Sequence, residues 1–167
     1  MAVTDSGSRQ SHAADWAASV CTASVFLLDL LLERGGHAPL HWMGIGCLLL
    51  GGLLSFPPMF TLRRYGRVEE GGSYMATTVL VDRGLFAVVR HPQYLGYMCL
   101  TLGFMLLSQR WPTVVVGIAG IVLFRHYAIA EERILGRRFG AGYAEYCRRV
   151  PRFNLVLGLA RQVMRRR

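Results

Sequence analysis

PQYLGYMCLTLGFMLLS (92–108), QRW (109–111) and PTVVVGIAGIVLFRHYAIA (112–130) are two apolar runs joined by three residues. Each run opens on a proline, which the first position of a helix accepts because its missing N–H would have no intrahelical partner. With so short a connection, the two helices have to run antiparallel, as a helical hairpin. At about 1.5 Å per residue, a 17-residue leg spans roughly 25 Å, close to the hydrocarbon core of a bilayer at about 30 Å. Counting back along the second leg returns the chain to about Ala128. His91 at the entrance and Glu131 at the exit are therefore expected at similar depth.

Upstream lie two more apolar segments, Trp16 to Leu32 and Trp42 to Phe60. The first is read as a retained anchor behind a polar tail, residues 1–14. The second holds Gly44, Gly46, Gly51 and Gly52, which invite close approach of a neighbouring helix. Pro57 and Pro58 are expected to kink or end it. Residues 61–90 form a long polar connection, of a length that is usually functional or disordered. Downstream, Leu135, Phe139, Tyr143, Tyr146 and Val150 recur at spacings of four, four, three and four, one face of a helix. Gly140 and Gly142 weaken it, and a helix lying in the membrane interface fits the pattern. The fold expected is an all-α integral membrane protein with about four transmembrane helices, a C-terminal hairpin and an interfacial amphipathic helix. Residues 15–153 form one membrane domain, with its chemistry in about 83–153, and residues 154–167 a basic tail.

Composition points the same way. Of the 167 residues, 53% are hydrophobic and 17% charged, against about 25% charged in ordinary globular chains; the mean hydropathy is +0.33. The net charge is +9 and every basic residue is arginine. These arginines flank apolar segments instead of forming a separate basic domain, which argues for anionic lipid headgroups and against nucleic acid. With four spans, one face receives Arg9, five arginines between Arg63 and Arg90, and eleven from Arg125 onward; the other receives Arg34 and Arg110. The positive-inside rule then puts both termini and the long connection in the cytoplasm. Cys21, Cys47, Cys99 and Cys147 include no CxxC pair, so they read as small buried residues and no metal site is expected.

Two clusters carry chemistry. Arg90-His91-Pro92-Gln93-Tyr94-Leu95-Gly96-Tyr97 puts charge and donors at a helix start, an end that attracts carboxylate or phosphate. Gly96 leaves room for a ligand or a helix. Glu131-Glu132 closes the hairpin, where acidic residues are costly unless solvated or paired and oppose the helix dipole. Opposite Arg90 and His91, such a pair suits an ammonium or sulfonium group. Arg125 and His126, inside the last apolar run, reach the interface by snorkelling.

Gly84-Leu85-Phe86, then RHPQYLGY (90–97), then EERILGRRFGAGYAEYCRRVPRF (131–153) resembles the isoprenylcysteine carboxyl methyltransferase family, whose scheme phospholipid N-methyltransferases share. The resemblance covers roughly residues 83–153 and rests on the order and spacing of its parts. It implies a methyltransferase that uses S-adenosylmethionine and takes a lipophilic substrate from the bilayer. Carried over by position, it implies that His91, Pro92, Tyr94, Gly96, Glu131, Tyr143 and Tyr146 hold the cofactor. It gives Arg90, Glu132 and Arg152 to catalysis. Two other readings of the RHPxYxG segment are an NADPH-dependent sterol or lipid reductase and a non-catalytic membrane adaptor.

Overall fold

The computed structural model describes residues 19–32, 35–67 and 77–165. The expected N-terminal tail lies outside these residues. Five α-helices account for most of the rest: α1 Ser19–Leu31, α2 Ala38–Tyr65, α3 Pro92–Ser108, α4 Trp111–Arg149 and α5 Leu155–Arg165. A 3-10 turn, Gly84–Ala87, precedes α3. There is no strand among the described residues. Among the described residues, two helices, α2 and α4, are long and apolar enough to cross a membrane.

The chain divides into two compact units. One runs up to Gly52 and takes in Gly96–Glu131; the other is Leu53–Leu95 with Glu132–Arg167. In the first, α2 lies on α3 at its glycines. A side chain at Gly44 would meet the Gly103 carbonyl and Leu107, and one at Gly51 would meet Leu100 and the Gly96 carbonyl. Gly46 and Gly52 face open space, so only the glycines seven apart, two turns along one face, serve the contact. Between α3 and α4, Met105 fills the space above Gly117, Tyr97 stacks near Phe124 at 5.5 Å between ring centroids, and Ser108 bonds Thr113 at 2.8 Å. The α1 helix joins through Thr22 and Thr101, 3.5 Å apart, and through Phe26 edge-on to Phe104.

Two expectations are corrected. Of the two outcomes expected at Pro57 and Pro58, a kink or an end, the end does not occur: α2 continues to Tyr65. The prolines remove the helical N–H donors to the carbonyls of Leu53 and Leu54, yet the Pro58 ring is fully buried and packing carries the helix through. Apolar helices tolerate proline where neighbouring elements pack against the break. Nor does α4 stop at the end of its apolar run. It is apolar to Ala130, turns polar at Glu131 and runs to Arg149, broken only at Gly140 (φ 55°, ψ −128°), a conformation only glycine adopts readily.

The second unit is built on that polar half of α4. Tyr143, Tyr146 and Val150 form a buried cluster with Leu80, Leu135, Phe139 and Cys147 against it. The helical face read from the sequence is real, and it is packed inside the protein. The residues read as a basic tail contain α5, whose first turn is capped by Asn154 Oδ1 accepting from the Leu157 N–H at 2.9 Å.

Candidate active site

The site begins with backbone. Gly84 enters the 3-10 turn at positive φ (59°), and Val88 and Val89 are buried behind it. The next two residues are tied to the far end of the unit. The Arg90 N–H donates to the Pro151 carbonyl at 3.0 Å and the His91 N–H to the Arg152 carbonyl at 3.4 Å. Tyr146 Oη donates to the Phe86 carbonyl at 2.7 Å. Two motifs sixty residues apart in sequence, Arg-His-Pro and Val-Pro-Arg, are thereby held side by side. Pro92, fully buried, starts α3 directly after, and the His91 carbonyl accepts that helix's first bond, from Leu95.

Glu132 is the centre. Its Oε1 lies 3.1 Å from Arg90 Nη1 and 3.2 Å from His91 Nε2. Arg152 grips it from another side, Nε to Oε1 at 2.9 Å and Nη2 to Oε2 at 2.5 Å. Such a two-pronged guanidinium–carboxylate pair is among the stronger charge-assisted contacts. Burial pushes the Glu132 carboxyl up, but hydrogen bonds from His91 and Arg152 and the charge of Arg90 outweigh it and hold the group down at about 2. Glu132 is therefore ionised and only accepts, so His91 Nε2 carries a proton toward it. The hydrogen bond to Glu132 raises Arg152 above its usual range.

Exposure separates the partners. The side chains of His91, Glu132 and Arg90 are nearly enclosed, while that of Arg152 is 34% exposed. Arg90 also donates to Cys147 Sγ at 2.7 Å. Its Nε, and the hydroxyl of Tyr143, are buried without a hydrogen-bond partner among the described residues. Buried polar groups are ordinarily satisfied, and each exception asks for an explanation. The His91 ring is flanked by Tyr94 and Phe153, with centroids 5.7 and 6.0 Å away.

Of the residues singled out in the sequence, the second unit thus brings together Arg90, His91, Glu132 and Arg152, with Tyr94 beside His91. Tyr143 and Tyr146 stand in the buried cluster behind them. Gly96 and Glu131 belong to the first unit, where Gly96 is buried with its carbonyl under Gly51. Cys147 and Phe153 were missed. Cys147 follows Tyr143 by four residues on the same helical face, a spacing that marks it as a neighbour. Phe153 has no periodicity to announce it. Among the described residues no cluster suited to a metal ion occurs.

A family profile described as phospholipid methyltransferase matches residues 39–142, more than half of the chain. The chain is 33% identical over 128 residues to protein-S-isoprenylcysteine O-methyltransferase B of Arabidopsis thaliana, a match covering 66% of this chain and 59% of that protein. It is 35% identical over 74 residues to protein-S-isoprenylcysteine O-methyltransferase of Schizosaccharomyces pombe, covering 44% of this chain and 31% of that protein. The chain thus spans less than two thirds of the length of either relative. No solved structure matches it. The matched region takes in the Arg-His-Pro segment, the start of α3 and Glu132, and together with the long apolar helices it shows that the chain belongs to the phospholipid methyltransferase family, as an integral membrane member of it.

Proposed function

We propose that the protein is an S-adenosylmethionine-dependent methyltransferase acting on a lipophilic substrate that carries a carboxylate, amine or thiol head. The observation that carries this reading is the convergence of Arg90, His91 and Arg152 on Glu132 in a chain of a methyltransferase family. The chain is read as crossing the membrane four times, with α3 and α4 as a hairpin and the site facing the cytoplasm. The arginine distribution supports that orientation.

The residues present suit the cofactor. Two buried donors, Arg90 Nε and the Tyr143 hydroxyl, lack hydrogen-bond partners among the described residues and match the polar, carboxylate-bearing end of such a molecule. His91, Pro92, Tyr94, Gly96, Tyr143, Tyr146 and Glu131 are proposed to hold it; for Gly96 and Glu131 the support is the resemblance alone. When bound, S-adenosylmethionine supplies an electrophilic methyl group on a sulfonium.

The chain's own part is alignment and exclusion of water. An in-line displacement gains most from reactants held at near-attack distance. Glu132 fixes the planes of Arg90 and Arg152, which lowers the entropy cost of presenting their remaining N–H groups. One carboxylate against two arginines leaves an excess positive charge, and Arg152 is the exposed one. It is placed to orient an anionic head by a planar fork. A carboxylate acceptor needs no base, because its charge is neutralised as it attacks. An amine or thiol must first lose a proton. Mass spectrometry of lipid extracts from cells with and without the protein tests the proposal. A lipid that gains one methyl group supports it, and extracts that match in every methylated species refute it.

A further inference from the structure

The α5 helix, Leu155–Arg165, is amphipathic, and it sits the opposite way round from a helix packed onto a soluble core. Its polar side faces the protein. Gly158 is buried with the Val88 carbonyl directly against it, and Arg161 Nη1 donates to the carbonyls of Arg148 and Arg149 at 3.4 Å each. Val156, Leu159, Val163 and Met164, which lie together on the other side at helical spacing, are each at least half exposed. The helix carries Arg161 and Arg165, is followed by Arg166 and Arg167, and no acidic residue occurs from Asn154 to the last residue.

We infer that α5 is an in-plane anchor that lays its apolar face into the surface of a bilayer containing anionic lipid. Three observations select this occupant. The chain is an integral membrane protein, so a bilayer is always beside it. The polar residues beside the apolar face are Arg161, Gln162 and Arg165, so its only charges are positive, complementary to phosphate headgroups and not to a mixed-charge protein surface. The contact with the protein uses a glycine and arginine-to-carbonyl bonds, leaving the whole apolar face unspent, as helices lying in the interface do. The seat of α5 is also mechanically close to the site. Gly158 rests on Val88, two residues before Arg90, and the α5 cap follows directly on Arg152 and Phe153. Lipid that holds α5 in place therefore also braces the segment that carries Arg90 and His91.

Photocrosslinking tests this. A benzophenone amino acid replaces Leu159 or, in a second variant, Val163, in the full chain reconstituted into vesicles. These are made of phosphatidylcholine alone or of phosphatidylcholine mixed with phosphatidylglycerol. Both positions are expected to give phospholipid adducts, with phosphatidylglycerol over-represented at least about fivefold relative to its share in the mixture, the factor one arginine supplies at an anionic surface. Changing Arg165→Gln, Arg166→Gln and Arg167→Gln together should abolish that preference and keep the adducts. Chain-to-chain crosslinks in place of lipid adducts would assign the face to a second copy and overturn the inference. So would the absence of any adduct at both positions, or adducts without preference for phosphatidylglycerol.

Discussion

Glu132 accepts from Arg90, His91 and Arg152 at once, and its carboxyl is held at about 2 against an ordinary 4.5. The folded state therefore binds the proton less readily than the unfolded chain, so Glu132 adds stability that is complete above pH 4.5 and is lost as pH falls toward 2. The shift corresponds to about 3 kcal/mol. Glu132→Gln should cost about 2–4 kcal/mol at neutral pH, because two guanidinium groups lose their counter-charge in a largely enclosed site. Thermal unfolding in detergent from pH 7 down to 2 checks this: the gap between parent and variant should close below pH 4.5, and a constant gap would mean the carboxylate does not titrate as described. The sequence set the acidic pair opposite Arg90 and His91 and matched Glu131 to His91, whereas the residue that meets His91 is Glu132. Neighbours on a helix point about 100° apart, and a count of turns does not fix rotation about the axis. Arg152 was legible as part of the Val-Pro-Arg motif. Its two-pronged grip on Glu132 depends on backbone bonds between residues 90–91 and 151–152, which no periodicity records.

At the scale of the element, hydrophobic runs located α1 to α4, and what they missed has specific causes. Proline was expected to kink or end α2 because its lost hydrogen bonds are local facts, whereas the burial of Pro58 that accompanies the unbroken helix is tertiary. Gly140 and Gly142 were expected to weaken the helix, and the break falls at Gly140 alone, whose backbone conformation only glycine adopts readily. The α5 helix escaped notice because Leu155, Val156, Leu157 and Leu159 crowd into five positions, which blurs the 3.6-residue period, and the closing arginines read as a tail. Glycines offer a test at this scale. A methyl group at Gly51 would lie 2.7 Å from Leu100 and 2.9 Å from the Gly96 carbonyl, while Gly46 has nothing within 4 Å. Gly51→Ala should destabilise by about 1–3 kcal/mol through overpacking. Gly46→Ala should be neutral or stabilise by up to about 1 kcal/mol, from helix propensity. Unfolding of both variants in mixed micelles separates the two; equal effects would mean that α2 does not approach α3 at Gly51.

For the whole molecule, the arginine asymmetry argues that both termini lie in the cytoplasm. Accessibility labelling checks it, with Ser6→Cys and Trp111→Cys in a chain whose four native cysteines are replaced by alanine. In intact cells an impermeant reagent should reach position 111, which is 78% exposed, and not position 6; labelling of position 6 from outside would reverse the topology. Class and membrane character were legible from composition, and the family from the order of the motifs in residues 83–153. Substrate identity was not, because it depends on surfaces shaped by several helices and not on any run of sequence. Use of a sulfonium methyl donor is the proposal on which the rest of the function depends. It is tested most directly by titration calorimetry of the purified full chain in detergent with S-adenosylmethionine, its demethylated product and NADPH. Saturable binding of both sulfur ligands is expected, and none of NADPH. Binding of NADPH with no response to either sulfur ligand would contradict the proposal.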